Sequence, residues 1–148
     1  MKSFKIVVLY SCFLILLPIQ SFSQESNSQQ TLINKDSSRI LLLKEKAQNC
    51  MNFVIREQFF EASQFFDPQF KEDFSPDTLK KFWNIFIEQG GTVIEPRGIK
   101  NETTDTSESI ILTYLCKKGR WDFHVIFNDS NLIRGLYVDK TPPPLLQE

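Results

Sequence analysis

The chain has 148 residues, of which 41% are hydrophobic and 24% charged, enough for one core and one domain. A formal net charge of −1 and the lack of any basic run argue against a nucleic-acid partner, which needs clustered cations to neutralise phosphates. One histidine and three cysteines do not have the spacing of a zinc site, and the acids do not follow a calcium-loop pattern, so no metal or cofactor is expected.

Residues 1–23 open with Lys2 and Lys5, continue as an apolar run from Ile6 to Leu17, and end on Ser21-Phe22-Ser23. A basic start, a short apolar core and small residues at −3 and −1 predict a secretory signal peptide cleaved after Ser23. The run is short of the roughly 20 apolar residues that a bilayer span needs, so no stable membrane insertion is expected after cleavage. Cleavage removes Lys2 and Lys5 and no acid, leaving 15 Lys and Arg against 18 Asp and Glu, a net charge of −3. The expected location is therefore outside the cytoplasm, periplasmic or secreted. It also removes Cys12 and leaves Cys50 and Cys116, either a disulfide of an oxidising compartment or two buried thiols.

Residues 24–36 are polar and without periodicity, and read as a flexible lead to a single α+β domain over 37–139. Leu43, Ala47, Cys50, Met51 and Val54 then fall on one helical face, predicting an amphipathic helix from Ser38 to about Gln58. Phe59 to Phe66 continues helically, Asp67-Pro68 interrupts it, and Phe70 to Phe74 allows one further turn. Ser75-Pro76-Asp77 is a helix start, with a capping hydroxyl, proline at the first position and an acid in the first turn. Leu79, Phe82, Trp83 and Phe86 form its apolar stripe, and Gly90 ends it.

Four strands follow. Thr92 to Lys100 is bent around Pro96 and Gly98, which suits a sheet edge. Asn101 to Ser107 is a polar turn, and Glu108 to Lys117 the second strand. Arg120 to Val138 makes a hairpin around Asn128-Asp129-Ser130-Asn131. Trp121, Phe123, Val125 and Phe127 alternate along its first arm, with Gly135 marking a bulge or close approach in the second. Residues 140–148, with Pro142-Pro143-Pro144, form a proline-rich tail that cannot extend a ladder.

Phe66-Asp67, Leu79, Trp83, Gly90, Cys116, Asp122, Phe127 and Ile133-x-Gly135-Leu136, in this order, resemble an uncharacterised exported bacterial family, a domain of unknown function. The resemblance covers roughly Lys44 to Asp139. It implies a cone-type fold like that of nuclear transport factor 2, with helices across a curved four-stranded antiparallel sheet. In some members this domain precedes an α/β-hydrolase. The Gly-x-Ser-x-Gly elbow of a hydrolase does not occur in this sequence, and the resemblance carries over no catalytic residue.

Nine of the 14 Phe lie between Phe53 and Phe86, which suits a helical layer packed on a sheet and also an aromatic-lined hollow beneath it. Phe66, Phe82, Trp83, Phe86, Leu112, Tyr114, Trp121 and Phe123 are the residues expected to line such a cavity. His124 alternates with the inward aromatic set and is placed with Asp122 on the outer side of the sheet, away from the helices. Cone-fold enzymes set a carboxylate and a Tyr or His at the cavity floor to move protons beside a carbonyl. Glu95, Asp122, Tyr114 and Tyr137 are the candidates, and nothing in the sequence joins any two of them. Asn101-Glu102-Thr103 and Asn128-Asp129-Ser130 match the glycosylation pattern and read as turn residues. The sequence thus points to an exported, non-catalytic binding module for a small apolar ligand or a protein partner. The alternatives are a small cone-fold enzyme of isomerase or dehydratase type, and a structural homodimer paired through Ile111, Thr113, Leu115, Asp122, His124 and Ile126.

Overall fold

A computed structural model of the chain describes residues 24–104 and 107–142, with side chains from residue 36 onward. The expected signal peptide and most of the proline-rich tail lie outside the described residues. Helices α1 (Gln24–Ile55), α2 (Phe59–Ser63), α3 (Pro68–Asp73) and α4 (Pro76–Gly90) precede strands β1 (Val93–Thr104), β2 (Ser107–Cys116), β3 (Gly119–Phe127) and β4 (Ile133–Lys140). The strands form one antiparallel sheet in the order β1-β2-β3-β4, open at both edges. Bulges bend it, and the helices lie on one face, so the architecture is α+β of cone type, as expected.

The predicted stripe of α1 is its buried face. Leu43, Ala47, Cys50, Met51 and Val54 are fully enclosed against α2 and the sheet. The helix is longer at its start than the periodicity indicates. It begins at Gln24, through the segment 24–36 expected as a flexible lead, because no Pro or Gly interrupts it and a packed half lets the helix propagate backward. It stops at Ile55 rather than Gln58. Glu57 adopts φ 59°, and the Gln58 amide turns back to the Phe53 carbonyl at 2.8 Å.

The helix starts follow their capping chemistry. Asp67 accepts from the Phe70 amide at 2.7 Å and caps α3, with Pro68 next. Ser75 accepts from the Thr78 amide at 3.3 Å and caps α4, with Pro76 and Asp77 following as predicted. The other end of α4 runs through Gly90, and Gly91 caps it at φ +75°, ψ −179°, a conformation open to glycine, with its amide donating to the Ile87 carbonyl. Gly90 is required for a different reason. A Cβ there would sit 2.6 Å from the Phe86 ring, so only glycine lets this helix end approach the aromatic layer.

That layer joins the helices to the hairpin. Phe86 meets Phe123 edge to face at 4.8 Å, Trp83 reaches Phe123 at 6.2 Å, and Phe86 meets Trp121 at 5.6 Å. Phe123, Val125 and Phe127 are completely or almost completely buried, the alternation expected of this arm. In β4, Gly135 pairs with Ile126 and Ile133 with Phe127, leaving Arg134 as the bulged residue. A Cβ on Gly135 would meet Ile126 at 3.2 Å, the close approach that the glycine signalled.

The polar segment Asn101–Ser107 is not all turn. β1 continues to Thr104 and β2 begins at Ser107. Thr103 donates to Glu108 at 2.7 Å, and Thr104 and Ser107 bond at 3.0 Å across the pair. An edge strand in contact with water needs no apolar alternation, which is why its polar end resembles a loop.

Candidate functional site

The placement of α1 leaves an amphipathic hollow between the helix and the start of β1. Arg39 Nε donates to Asn131 Oδ1 at 2.9 Å and Lys46 Nζ donates to the Asn131 carbonyl at 2.8 Å, fixing α1 to the β3–β4 turn. Asn131 holds its carbonyl there through a left-handed backbone, φ 59°. The helix then crosses β2 and β1, with its apolar stripe down. Gln48, Asn49 and Asn52, on its flank, overhang the start of β1. There the register shifts between Val93 and Glu95 and again between Pro96 and Gly98, which interrupts the regular ladder of the strand.

The gap has a volume of about 500 Å³. Gln48, Asn49 and Asn52 form its helix side, and Ile55 closes one end. Val93, Ile94 and Pro96 form the aliphatic wall opposite. Tyr114 on β2 lines it from the core side. This tyrosine is only 6% exposed and its ring stands edge-on to Phe123 at 5.7 Å, yet its hydroxyl makes no hydrogen bond among the described residues. Burial, assisted by the neighbouring Cys50 and Cys116 thiols, pushes the Tyr114 phenol up to about 12. It therefore stays protonated and offers one donor and one acceptor, without charge.

Burial pushes the Cys50 thiol up to about 12 and also raises Cys116. Both thiols are free and buried in this structure, so neither has thiolate character to act as a nucleophile. Glu95 also lines the hollow. Its carboxylate is about half exposed, at 48%, and paired with Arg97. It thus stands in water rather than in the apolar pocket that proton transfer beside a carbonyl requires.

Of the eight residues expected to line a cavity, Tyr114 alone borders this hollow. Phe66 lies in the core with its ring tilted against Phe70 at 4.9 Å, and Phe82 packs against that core and meets Phe74 at 5.9 Å. Trp83, Phe86, Trp121 and Phe123 form one continuous aromatic cluster, and Leu112 lies buried within the same core. The carboxamides of α1 were not among the expected site residues. They sit on the exposed flank, and their only sequence signal is three amides at i, i+1 and i+4.

The other face of the sheet carries Asp122 and His124, as the alternation predicts. Asp122 is buried, with its Oδ1 accepting from Thr113 at 2.5 Å and from Thr141 at 3.0 Å. This carboxylate ties β2 to the end of β4. His124 stacks on Tyr137 at 4.2 Å, and its Nε2 lies 3.8 Å from Asp139. Its Nδ1 is buried without a partner among the described residues. Of the four proton-transfer candidates, then, Tyr114 and Glu95 share the hollow, while Asp122 and Tyr137 lie across the sheet.

Among the described residues, no cluster of His, Cys, Asp and Glu could hold a metal ion, and no helix is long and apolar enough to cross a membrane. No curated protein and no solved structure matches the chain. A family model described as a protein of unknown function, DUF3887, matches residues 47–136, from α1 into β4. That match spans more than half of the chain and contains both walls of the hollow and Tyr114, and the chain belongs to this family of proteins of unknown function.

Proposed function

We propose that this protein is an exported binding module without catalysis, and that its ligand site is the hollow between α1 and the bent start of β1. The observation that carries the reading is Tyr114, whose side chain is largely buried yet borders an open hollow, with a hydroxyl that makes no hydrogen bond among the described residues. A hydroxyl that opens onto the hollow without a protein partner is free to bond a ligand, a gain of about 0.5–1.5 kcal/mol net. A small molecule fits the volume. A peptide added as a further strand does not fit here, because Pro96 has no N–H and the two shifts of register break the edge where it faces the hollow.

Asn52→Trp tests the site. The position is exposed on α1, so a large side chain there fills the hollow without entering the core. In a host strain lacking the native gene, Asn52→Trp is expected to abolish complementation, whereas His124→Ala complements within a few-fold of wild type. Full complementation by Asn52→Trp, with the variant folded, contradicts the proposal.

One observation favours a second reading, an enzyme of the isomerase or dehydratase kind. Glu95 and Tyr114 border the same hollow, the pairing of carboxylate and tyrosine that such chemistry uses. Glu95→Gln separates the readings: a binding site tolerates the loss of an exposed, ion-paired carboxylate, and an enzyme does not. A partner chain is proposed for the other face, where Tyr137 stands 44% exposed over His124. Light scattering at high micromolar concentration decides whether that partner is a second copy.

A further inference from the structure

The chemistry of the hollow narrows its ligand. No Lys, Arg or His lines it, and its single carboxylate is held by Arg97. An ion entering it would shed water without gaining a counter-charge, which is strongly unfavourable. Neutral hydrogen-bonding groups are what the hollow does offer. The carboxamides of Gln48, Asn49 and Asn52 project from one flank of α1 and make no hydrogen bond among the described residues. Each presents two donors and an acceptor, the complement of another carboxamide. Opposite them the wall is aliphatic, with Ile94 58% exposed. A sugar ring prefers an open aromatic face to stack on. Here the Tyr114 ring is buried edge-on to Phe123, so only its hydroxyl is on offer.

Resting on the binding reading above, we infer that the hollow takes a neutral carboxamide with an aliphatic arm. The amide lies between the α1 carboxamides and the Tyr114 hydroxyl, and the arm lies against Val93, Ile94 and Pro96. A capped peptide end has this chemistry. The selection works by exclusion as well as attraction, because an anion of the same shape meets no cation and a polyol leaves the aliphatic wall uncovered.

The test is a chemical-shift titration of the full chain with three probes: N-acetyl-leucinamide, isovalerate with the same arm and a charge, and methyl glucoside. N-acetyl-leucinamide is expected to saturate shifts at Asn52, Ile94 and Tyr114, at least about tenfold more tightly than either of the others. Tyr114→Phe should weaken it about tenfold, the loss of one buried hydrogen bond, while the remaining spectrum keeps its dispersion. If that variant loses its fold, Asn52→Leu on the exposed helix flank is read instead, with the same weakening expected. Equal or tighter binding of isovalerate or methyl glucoside at these residues overturns the ligand class and leaves the hollow as a site. Saturable shifts by N-acetyl-leucinamide only elsewhere, or unchanged affinity in both variants, overturn the inference. No saturable shift with any of the three probes overturns it as well, and Asn52→Trp complementation then judges the site separately.

Discussion

The Asp67 amide donates to the Ile133 carbonyl at 2.8 Å, while the Ile133 amide donates to Phe65 at 2.9 Å, so the helical layer is joined to β4 by a short parallel bridge. The Asp67 carboxylate makes two further bonds from the same position. Oδ1 caps α3, and Oδ2 accepts from Asn128 Nδ2 at 3.1 Å. One residue thus couples a helix start, a strand start and the hairpin turn, and that turn in turn holds α1 through Asn131.

Asp67→Ala should therefore cost more than an ordinary helix cap. Loss of the cap alone costs about 0.5–2 kcal/mol, and the unpaired Asn128 amide adds to it. A denaturant titration is expected to show about 2–3 kcal/mol. A loss below about 0.5 kcal/mol would mean that the bridge does not anchor the layer.

Trp83→Ala tests the aromatic layer. Trp83 is 2% exposed and touches both Phe86 and Phe123, so its removal should cost about 3–5 kcal/mol, the range for a large buried aromatic. Phe60→Ala is the control. Phe60 is 65% exposed, and its removal should stay within about 0.5 kcal/mol of wild type.

Alkali should unfold the protein. Cys50 and Tyr114 both ionise near 12 in the folded chain against ordinary values of 9.0 and 10.0. Both are neutral when protonated, so the folded state holds its protons after the unfolded chain has lost them. Stability is fully present below about pH 9 and falls as pH rises towards 12, by a few kcal/mol in total. Tyr114→Phe removes the part of that slope above pH 10. Urea midpoints at pH 8 and pH 11 measure it, and equal midpoints for wild type would contradict the burial of both groups.

Export is tested at the N-terminus. The start with Lys2 and Lys5 and the Ser21/Ser23 spacing predict a mature chain beginning at Gln24 or Glu25. Mass spectrometry of protein from the native host should find it there, and an intact Met1 would remove the reading.

The parts of the fold that were legible in the sequence are those in which one local rule acts alone. Ser75-Pro76-Asp77 caps a helix by its own chemistry, and Phe123, Val125 and Phe127 must face a core because β3 has one. Thr103 and Thr104 misled because an edge strand shares the polar composition of a loop. The segment 24–36 misled because an unbroken helix can extend from a packed half without any apolar pattern of its own. The candidate site was legible only at Tyr114 and Glu95. Gln48, Asn49 and Asn52 look like any solvated helix flank until the bend at Pro96 and Gly98 leaves a gap beneath them. That gap depends on how far two distant elements stand apart, which no local pattern states.

The most direct measurement of the central claim is an unbiased fragment screen read by amide chemical shifts over the whole domain. The account predicts that hits cluster at Asn52, Ile94 and Tyr114 and that Asn52→Trp removes them. Hits that cluster at His124 and Tyr137 across the sheet, or that survive Asn52→Trp unchanged, would contradict it.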